Sequence, residues 1–464
     1  MKFHIVTLGC PKNEVDSEGM ETLLTEAGHS PVPELYEADL IVVNTCGFID
    51  AAKAESLETL KSVASRRKPG SLLAAAGCLA QREGEKLAEQ LPGIDAIIGC
   101  RNWPDITRLA DLVSSRSSRE EARVSVLLDE RLQLGAARRV ARAGSAYVKI
   151  SDGCDAGCAF CAIPAIKGGH QSKPPEQVVE EVRQLVAGGV KEVILVGQDT
   201  TAYGLDRGEK DGLEGLLRRI AEAVPGLPWL RMLYLYPQRI TPSLLRAMAD
   251  LPQLCRYVDI PLQHTHPDML RRMRRPHGEV RDLMDAIRHA MPEVAIRTTF
   301  IVGFPGETEE EHRHLLRSIE EIGFDHVGVF AYSPQEGTPA AAMPNQVTDR
   351  VKLRRWREAM EVAQRVSRKR NQEMVGRELE VLVEGTEEGS RGRTPTVVGR
   401  SYRDAPEVDG LVFFSGRATL GEIVKVRVTS ALEYDLVGEA VADGGTGRWG
   451  DGVTPSRRDA RTRR

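Results

Sequence analysis

Three cysteines lie within eight consecutive positions of the 464-residue chain, in the stretch SDGCDAGCAFCAIP. Cys154, Cys158 and Cys161 are separated by three and then two residues, and Phe160 stands directly before the third. Thiolates this close in sequence are typical ligands of zinc or of an iron–sulfur cluster. Structural zinc sites use four protein ligands, whereas three thiolates on a four-iron cluster leave one iron without a protein ligand. The spacing therefore favours a cluster that can bind a small molecule.

Other cysteines follow short apolar runs that are predicted to be strands. Cys10, Cys46 and Cys78 come at or just beyond the ends of FHIVTLG, ADLIVVNT and SLLAAAG. Ligands of an open parallel sheet bind at the carboxyl ends of its strands, so we expect these three thiols to share one edge and hold a second cluster. Cys100, after IDAIIG, could be a spare ligand, a persulfide site or without function, and we expect the last. Cys255 is predicted to be a core residue.

The order of strands and helices predicts an α/β protein of several domains. Residues 1–111 alternate apolar runs with helix-compatible stretches, which predicts a small parallel sheet flanked by helices. Residues 112–144 are rich in serine and arginine and are predicted to be a linker, with one strand-like run, VSVLL. Residues 145–373 contain six strand–helix units and predict a complete or partial barrel of parallel strands, AYVKIS, EVILVGQ, LRMLYLYP, YVDIPLQ, AIRTTFIVG and HVGVFAYS.

The last part of the chain changes pattern. A charged helix, DRVKLRRWREAMEVAQRVSRKRNQ, leads into residues 374–441, where five short strands separated by glycine and charged turns predict a small antiparallel β-barrel. Residues 442–464 have almost nothing to bury and are predicted to be a disordered tail.

Polar residues and one glycine near the predicted carboxyl ends of the barrel strands are candidates for binding a cofactor. Each of them could equally cap a helix or stabilise a turn, as Thr308 is expected to do before a run of glutamates. Together with Phe160, the candidates are Gln198, Asp199, Gln263, Arg297 and Gly303.

The composition indicates in which compartment the protein works and which partners it does not bind. The formal net charge is −4, so the whole chain has no basic surplus of the kind that nucleic-acid binding requires. No apolar run approaches the roughly 18 residues that cross a bilayer, and the start of the chain is strand-like rather than a signal peptide. We therefore expect a cytoplasmic protein that does not bind membranes, with thiols that are ligands or catalysts rather than disulfides.

The loop CDAGCAFC matches the CxxxCxΦC motif of radical S-adenosylmethionine enzymes, where Φ is an aromatic residue. This resemblance implies that Cys154, Cys158 and Cys161 are catalytic and hold a [4Fe–4S] cluster. It also implies that the open iron binds the amino and carboxylate groups of S-adenosylmethionine. An electron from the reduced cluster then cleaves the sulfonium and generates a deoxyadenosyl radical.

Three further segments, LGCPKNEVDSE, NTCGFI and AAAGCLAQR, resemble the amino-terminal domain of the methylthiotransferases within that superfamily. The terminal barrel is similar to their TRAM domain. The resemblance implies a second [4Fe–4S] cluster at Cys10, Cys46 and Cys78, tied to sulfur insertion. It also implies a second S-adenosylmethionine as methyl donor, and an electron donor such as flavodoxin or ferredoxin.

Two branches of the family differ in substrate. One modifies an adenosine of tRNA beside the anticodon, and the other modifies the β-carbon of an aspartate in small-subunit ribosomal protein number twelve. GRSYRDAPEVDG, EYDLVGEA, IPAIKGGHQSKP and YVDIPLQH resemble the second branch. Residues 374–441 contain 8 Lys or Arg and 12 Asp or Glu, which suits a basic protein better than an RNA backbone. We expect the ribosomal protein, free or in its subunit, as substrate; nucleic-acid contact and a non-catalytic cluster carrier remain alternatives.

Overall fold

The computed structural model of the chain describes residues 1–114, 125–128, 144–275, 278–387 and 396–441. The predicted disordered tail and most of the predicted linker lie outside these residues. In the part of the chain that the structure describes, no helix is long and apolar enough to cross a membrane.

The first domain is built on a six-stranded parallel sheet. Its strands are β1 (Lys2–Thr7), β2 (Ser30–Pro31), β3 (Leu40–Thr45), β4 (Leu72–Ala76), β5 (Ala96–Gly99) and β6 (Ser125–Leu127). Their order in the sheet is β2-β1-β3-β4-β5-β6, and every pair is parallel. Strand β6 is the VSVLL run of the predicted linker, so the sheet includes part of that segment.

Helices cover both faces of this sheet and confirm the predicted layout. They are α1 (Pro11–Glu26), α2 (Asp50–Arg66), α3 (Gly77–Glu83), α4 (Glu85–Gln90) and α5 (Ile106–Ser114). Successive side chains of a strand point to opposite faces, so β3 buries Val42 in one apolar core and Ile41 and Val43 in another. Burial on both faces explains why these strands are continuous apolar runs.

The central domain contains two parallel three-stranded sheets and a small antiparallel pair. Its strands are β7 (Ser145–Lys149), β8 (Ser151–Asp152), β9 (Gln171–Ser172), β10 (Glu192–Val196), β11 (Trp229–Met232), β12 (Tyr257–Gln263), β13 (Ala295–Val302) and β14 (His326–Ala331). The sheets have the orders β11-β10-β7 and β12-β13-β14, and an isolated bridge between Leu230 and Leu254 joins their inner edges. One apolar core spans both sheets, which confirms the predicted partial barrel.

The helices of the central domain follow the predicted strand–helix alternation. They are α6 (Ile163–Lys167), α7 (Pro175–Ala187), α8 (Gly212–Ala223), α9 (Pro242–Asp250), α10 (Pro267–Arg272), α11 (Val280–Ala290), α12 (Glu309–Ile322) and α13 (Asp349–Gln372). Thr308 begins α12 with a capping box that it shares with Glu311, as the sequence indicates. Strand β11 ends five residues before the end of the predicted run, and Tyr234, just beyond it, adopts a positive φ of 63° that departs from extended backbone.

The third domain is a closed five-stranded barrel. Its strands are β15 (Glu378–Glu387), β16 (Thr396–Ser401), β17 (Val412–Ser415), β18 (Ile423–Ala431) and β19 (Leu436–Ala440). They close in the order β15-β16-β17-β19-β18. The predicted small antiparallel barrel is confirmed, with four antiparallel pairs and one parallel pair, β17 with β19. A closed ring with an odd number of strands cannot alternate direction all the way around, so one parallel pair is required.

A buried ion-pair group joins the third domain to the central one. Glu192, at the start of β10, accepts hydrogen bonds from Arg231 Nε at 2.7 Å and from Arg400 Nη2 at 2.6 Å. All three side chains are at most 1% exposed. Burial opposes ionisation of Glu192, but the two guanidinium groups outweigh it and lower the pKa of its carboxyl group.

Replacing Glu192 by Ala is expected to reduce the free energy of unfolding by about 3–5 kcal/mol, because two buried guanidinium groups lose their shared carboxylate. Urea unfolding at pH 7 followed by circular dichroism measures this change. The matched control is Glu321→Ala, which removes an exposed carboxylate paired with Arg281 and should change little. A loss for Glu192→Ala no larger than that of the control would contradict the structural role of the group.

Candidate active site

The three-cysteine loop begins after β8, at the carboxyl end of the first barrel strand. Backbone hydrogen bonds fix its shape. Cys154 N donates to Gly168 O at 3.1 Å, Ala159 N donates to Met273 O at 2.9 Å, and Ala340 N donates to Ala159 O at 2.8 Å. The loop is therefore tied to three other segments of the central domain, and its thiols project from a defined scaffold.

The thiols of Cys154, Cys158 and Cys161 are half-buried and free of disulfides. Two of their sulfur atoms accept weak hydrogen bonds, Cys154 Sγ from Ala156 N at 3.4 Å and Cys158 Sγ from Arg275 Nη1 at 3.6 Å. Such donors stabilise thiolates and tune cluster potentials. Burial, and then the neighbouring thiols, raise the pKa of Cys161 to about 12.

The number of thiols in this loop fits an iron–sulfur cluster better than a structural zinc ion. A structural zinc site takes four protein ligands, whereas three thiolates can hold a four-iron cluster with one open iron. The donor set of three thiols with hydrogen-bond donors around them therefore fits the predicted [4Fe–4S] cluster.

Two predicted cofactor residues lie beside this loop. Gln198 follows β10, and its Nε2 donates to Asp152 Oδ1 at 2.7 Å, whereas its buried Oε1 has no hydrogen-bond partner among the described residues. An unsatisfied buried acceptor is costly, so this oxygen is available for a donor on a cofactor. Phe160 packs against a buried cluster that includes Met269 and Phe304, and thereby anchors the loop between Cys158 and Cys161.

Asp199 is at the predicted edge but its carboxylate is already used by the protein. It accepts hydrogen bonds from Thr201 Oγ1 at 2.5 Å and Ala202 N at 3.2 Å, and it forms an ion pair with Arg239. Its side chain is 3% exposed. The structure therefore favours the alternative that the sequence left open, in which Asp199 caps a turn.

Gln263 and Gly303 also lie at the carboxyl ends of their strands. Gln263 ends β12 with a φ of 74°, and Gly303 follows β13 with a φ of 72°. A Cβ at Gly303 would lie 2.3 Å from Lys352 Cγ of α13, so only glycine fits this close approach. Gly303 N donates to the buried carboxylate of Glu307. These contacts explain a turn at each position, and cofactor contact stays a prediction for both.

Arg297 does not lie at the carboxyl end of its strand, where the sequence analysis placed it. Arg297 is the third residue of β13 and lies near its amino end, away from the three-cysteine loop. Its guanidinium donates to Asp259 Oδ1 at 2.8 Å and to Asp409 Oδ1 of the third domain at 3.2 Å. It therefore supports the domain interface, and cofactor contact by Arg297 stays a prediction.

The first domain brings Cys10, Cys46 and Cys78 to one edge of its sheet, as the sequence predicts. Cys10 follows β1, Cys46 follows β3, and Cys78 lies in the first turn of α3 after β4. Gly9 has a φ of 96°, and a Cβ there would lie 3.1 Å from Cys46 Sγ, so the loops of the first two cysteines approach closely. Burial, followed by the charges of Cys78 and Cys10, raises the pKa of Cys46 to about 11.

Cys100 lies beside this set. Its thiol shares a hydrogen bond with Cys78, which, together with burial, raises the pKa of Cys78. The two thiols pack against Ala162 and Ile166, directly after the three-cysteine loop of the central domain. The two sets of three thiols are therefore on facing sides of one domain interface. Cys255 is 6% exposed and packs in an apolar cluster, as predicted.

Iron binding at both sets is expected to strengthen with pH, because thiols bind iron as thiolates. The raised pKa values keep Cys46 and Cys161 protonated near pH 7, so each releases about one proton on loading, and affinity rises roughly tenfold per pH unit for each such proton. Anaerobic competition with an iron chelator at pH 7, 8 and 9 measures this slope. Cys46→Ala leaves only the central set complete and should therefore remove the proton release of the whole amino-terminal set. A pH-independent affinity of the intact chain would contradict the account.

Sequence reasoning missed a buried set of charges at the same interface. It consists of Lys12, Asp16, Lys149, Asp152 and Lys167, all at most 8% exposed. Lys149 binds both Asp16 and Asp152, the second at 3.1 Å, and Lys167 Nζ lies 2.9 Å from Asp152 Oδ2. A lysine inside the apolar run AYVKIS was the available signal.

Comparison with known proteins agrees with this arrangement. Family models match residues 2–99 (Uncharacterized protein family UPF0004), 148–319 (Radical SAM superfamily) and 375–441 (TRAM domain). The chain's fold is similar to the radical S-adenosylmethionine methyltransferase TsrM from Kitasatospora setae, with a TM-score of 0.55 at 16% identity over 73% of this chain and 74% of that one. It is also similar to the cobalamin-dependent radical enzyme OxsB, with a TM-score of 0.51 at 12% identity over 78% and 56%. The chain is thus a radical S-adenosylmethionine enzyme, with that molecule and a [4Fe–4S] cluster as cofactors.

Curated relatives show to which family of radical S-adenosylmethionine enzymes the chain belongs. Proteins from Roseiflexus sp. strain RS-1 and Herpetosiphon aurantiacus are each 47% identical over 95% of this chain, covering 97% and 100% of their own lengths. A protein from Geobacter sulfurreducens is 43% identical over 95% of this chain and 99% of its own. All three are named ribosomal protein uS12 methylthiotransferase RimO. The chain belongs to the RimO family of methylthiotransferases.

Proposed function

We propose that this chain attaches a methylthio group to the β-carbon of an aspartate in ribosomal protein uS12. The observation that carries the proposal is that Cys78 of the first-domain set packs against Ala162, the residue after Cys161 of the central set, in a chain that resembles RimO proteins along almost its whole length. An unactivated C–H bond cannot be opened by acid–base groups alone, which accounts for the need for a radical source beside a sulfur-bearing centre.

The proposed cluster ligands are two sets of thiols, Cys154, Cys158 and Cys161 in the central domain, and Cys10, Cys46 and Cys78 in the first domain. When bound, the clusters and S-adenosylmethionine supply the radical that removes hydrogen from the substrate carbon, and the sulfur and methyl group that replace it. The chain itself orients these groups. Arg275 donates to Cys158 Sγ, and Gln198 offers its free Oε1 at the same edge.

The charge of the terminal barrel supports a protein substrate. Residues 374–441 have a net charge of −4, which attracts a basic protein and repels the phosphates of RNA. The same proposal places the enzyme in the cytoplasm, where ribosomal subunits are made, with a flavodoxin or ferredoxin as the electron donor. The proposal allows the enzyme to act on free uS12 or on uS12 within the assembled ribosomal subunit.

Mass spectrometry of uS12 and of tRNA from cells that lack this gene tests the substrate. We expect uS12 to lose its methylthio group and tRNA modification to remain. Restoring the intact gene should restore the group, and restoring a Cys158→Ala gene should not. Loss of the methylthio group from tRNA, with uS12 unchanged, would overturn the proposal in favour of the tRNA branch.

A further inference from the structure

The buried charges at the interface of the first and central domains do not balance. Three ammonium groups, Lys12, Lys149 and Lys167, face two carboxylates, Asp16 and Asp152. Burial raises the pKa of Asp16, so any protonation there increases the excess of positive charge. A buried cation is costly unless an anion compensates it. An additional anion at this interface would balance these charges.

The thiolates of a cluster in the first domain would supply that negative charge. Lys167 Nζ lies 2.9 Å from Asp152 Oδ2, and the residue before it, Ile166, packs against Cys100 and Cys78. On the other side, Lys12 lies in the first turn of α1, and Cys10 is the N-cap residue of that helix. Two of the three lysines thus lie beside segments that carry thiols of the predicted amino-terminal cluster.

Lys12 has no carboxylate partner among the described residues, and Lys167 shares its carboxylate partner, Asp152, with Lys149. Lys12 Nζ lies 3.5 Å from the centre of the Tyr234 ring and 3.5 Å from Gly197 O. Lys167 ends α6 and is 2% exposed, and Asp152 must share its charge between Lys167 and Lys149. Lys167 lies six residues after Cys161, and Asp152 two residues before Cys154. The segment that carries one set of thiols therefore carries the charge that faces the other.

We propose that Lys12 and Lys167 are positioning residues for the amino-terminal cluster, whose ammonium groups offset the charge of its thiolates and raise its reduction potential. This inference rests on the proposed function, because it requires a cluster at Cys10, Cys46 and Cys78. Reduction adds a negative charge, which a nearby buried cation stabilises. Net charge and the groups around the sulfur atoms are known determinants of cluster potentials.

The test uses the full chain with Cys154, Cys158 and Cys161 replaced by Ala, so that only the amino-terminal set binds iron. An anaerobic redox titration followed by electron paramagnetic resonance gives the midpoint potential. Lys167→Met should shift it to a more negative value, and Lys167→Arg, which keeps the charge, should stay near the parent. Lys68→Met is the matched control, because Lys68 pairs with Asp39 at the opposite end of the sheet and should cause no shift.

The outcomes separate the two proposals. A loaded Lys167→Met chain with the potential of its parent would overturn the charge inference and leave the proposed function intact. A parent chain that binds no iron would overturn the proposed function and the inference together. Should Lys167→Met fail to fold, Lys12→Met carries the test, and an unchanged potential there would equally overturn the inference.

Discussion

Replacing Cys158 by Ala is expected to abolish reductive cleavage of S-adenosylmethionine to deoxyadenosine. The loop offers three thiols, and removing the middle one leaves two, which cannot hold a four-iron cluster with one open iron. The loss should exceed the roughly 10–100-fold that removing a hydrogen-bond partner of a ligand costs. The measurement is the yield of deoxyadenosine from the reconstituted, dithionite-reduced protein.

The control for this variant is Cys255→Ala. Cys255 is another cysteine of the central domain, but it is buried in an apolar cluster to which no cysteine of the loop belongs. That variant should keep iron and cleavage, with a small loss of stability. Cleavage retained by Cys158→Ala would contradict the assignment of the loop. Iron binding without any cleavage by the intact chain would favour a non-catalytic cluster carrier.

Replacing Cys46 by Ala is expected to stop methylthio transfer while leaving the cleavage of S-adenosylmethionine intact. Cys46 lies in the first domain, with Cys10 and Cys78, and none of the three contributes to the loop of the central domain. The variant should therefore still produce deoxyadenosine but should form no methylthio group on uS12. Iron content should fall to about that of one four-iron cluster, because only one set of three thiols is complete.

The control for Cys46→Ala is a serine replacement of Cys100, a cysteine that belongs to neither set. Cys100→Ser keeps the size of the side chain beside Cys78, and we expect it to retain iron and methylthio transfer, since the prediction gives Cys100 no role. Methylthio transfer retained by Cys46→Ala would contradict the division of labour between the two sets. Loss of deoxyadenosine production in Cys46→Ala would show that the sets are not independent.

Much of the fold could be predicted because its signals are local. Apolar runs followed by amphipathic stretches predicted the strands of the first two domains, and short runs between glycine turns predicted the barrel. What could not be predicted depends on pairing between distant segments. The parallel pair β17–β19 follows from closure of an odd-numbered ring, and the pairing of β6 with β5 crosses the predicted linker.

In the candidate site, too, local features could be predicted and contacts between distant segments could not. The two cysteine sets were predicted from strand ends and a short loop, and the structure places Cys10, Cys46 and Cys78 after β1, β3 and β4 and the loop after β8. Arg297 was misplaced because a strand sequence alone does not show that its amino end faces a carboxylate, Asp409, of another domain. The ion network around Asp152 was missed because its members come from segments 133 residues apart, as the contact of Lys149 with Asp16 shows.

The central claim is that one chain both generates the radical and places the methylthio group on uS12. The most direct measurement is fragment mass analysis of purified uS12 and tRNA, incubated together with the reconstituted enzyme, a reductant and S-adenosylmethionine labelled in its methyl group. The account predicts one labelled methylthio group on the β-carbon of a single aspartate of uS12, and unmodified tRNA. Unmodified uS12 in a reaction that produces deoxyadenosine and labels the tRNA would contradict it.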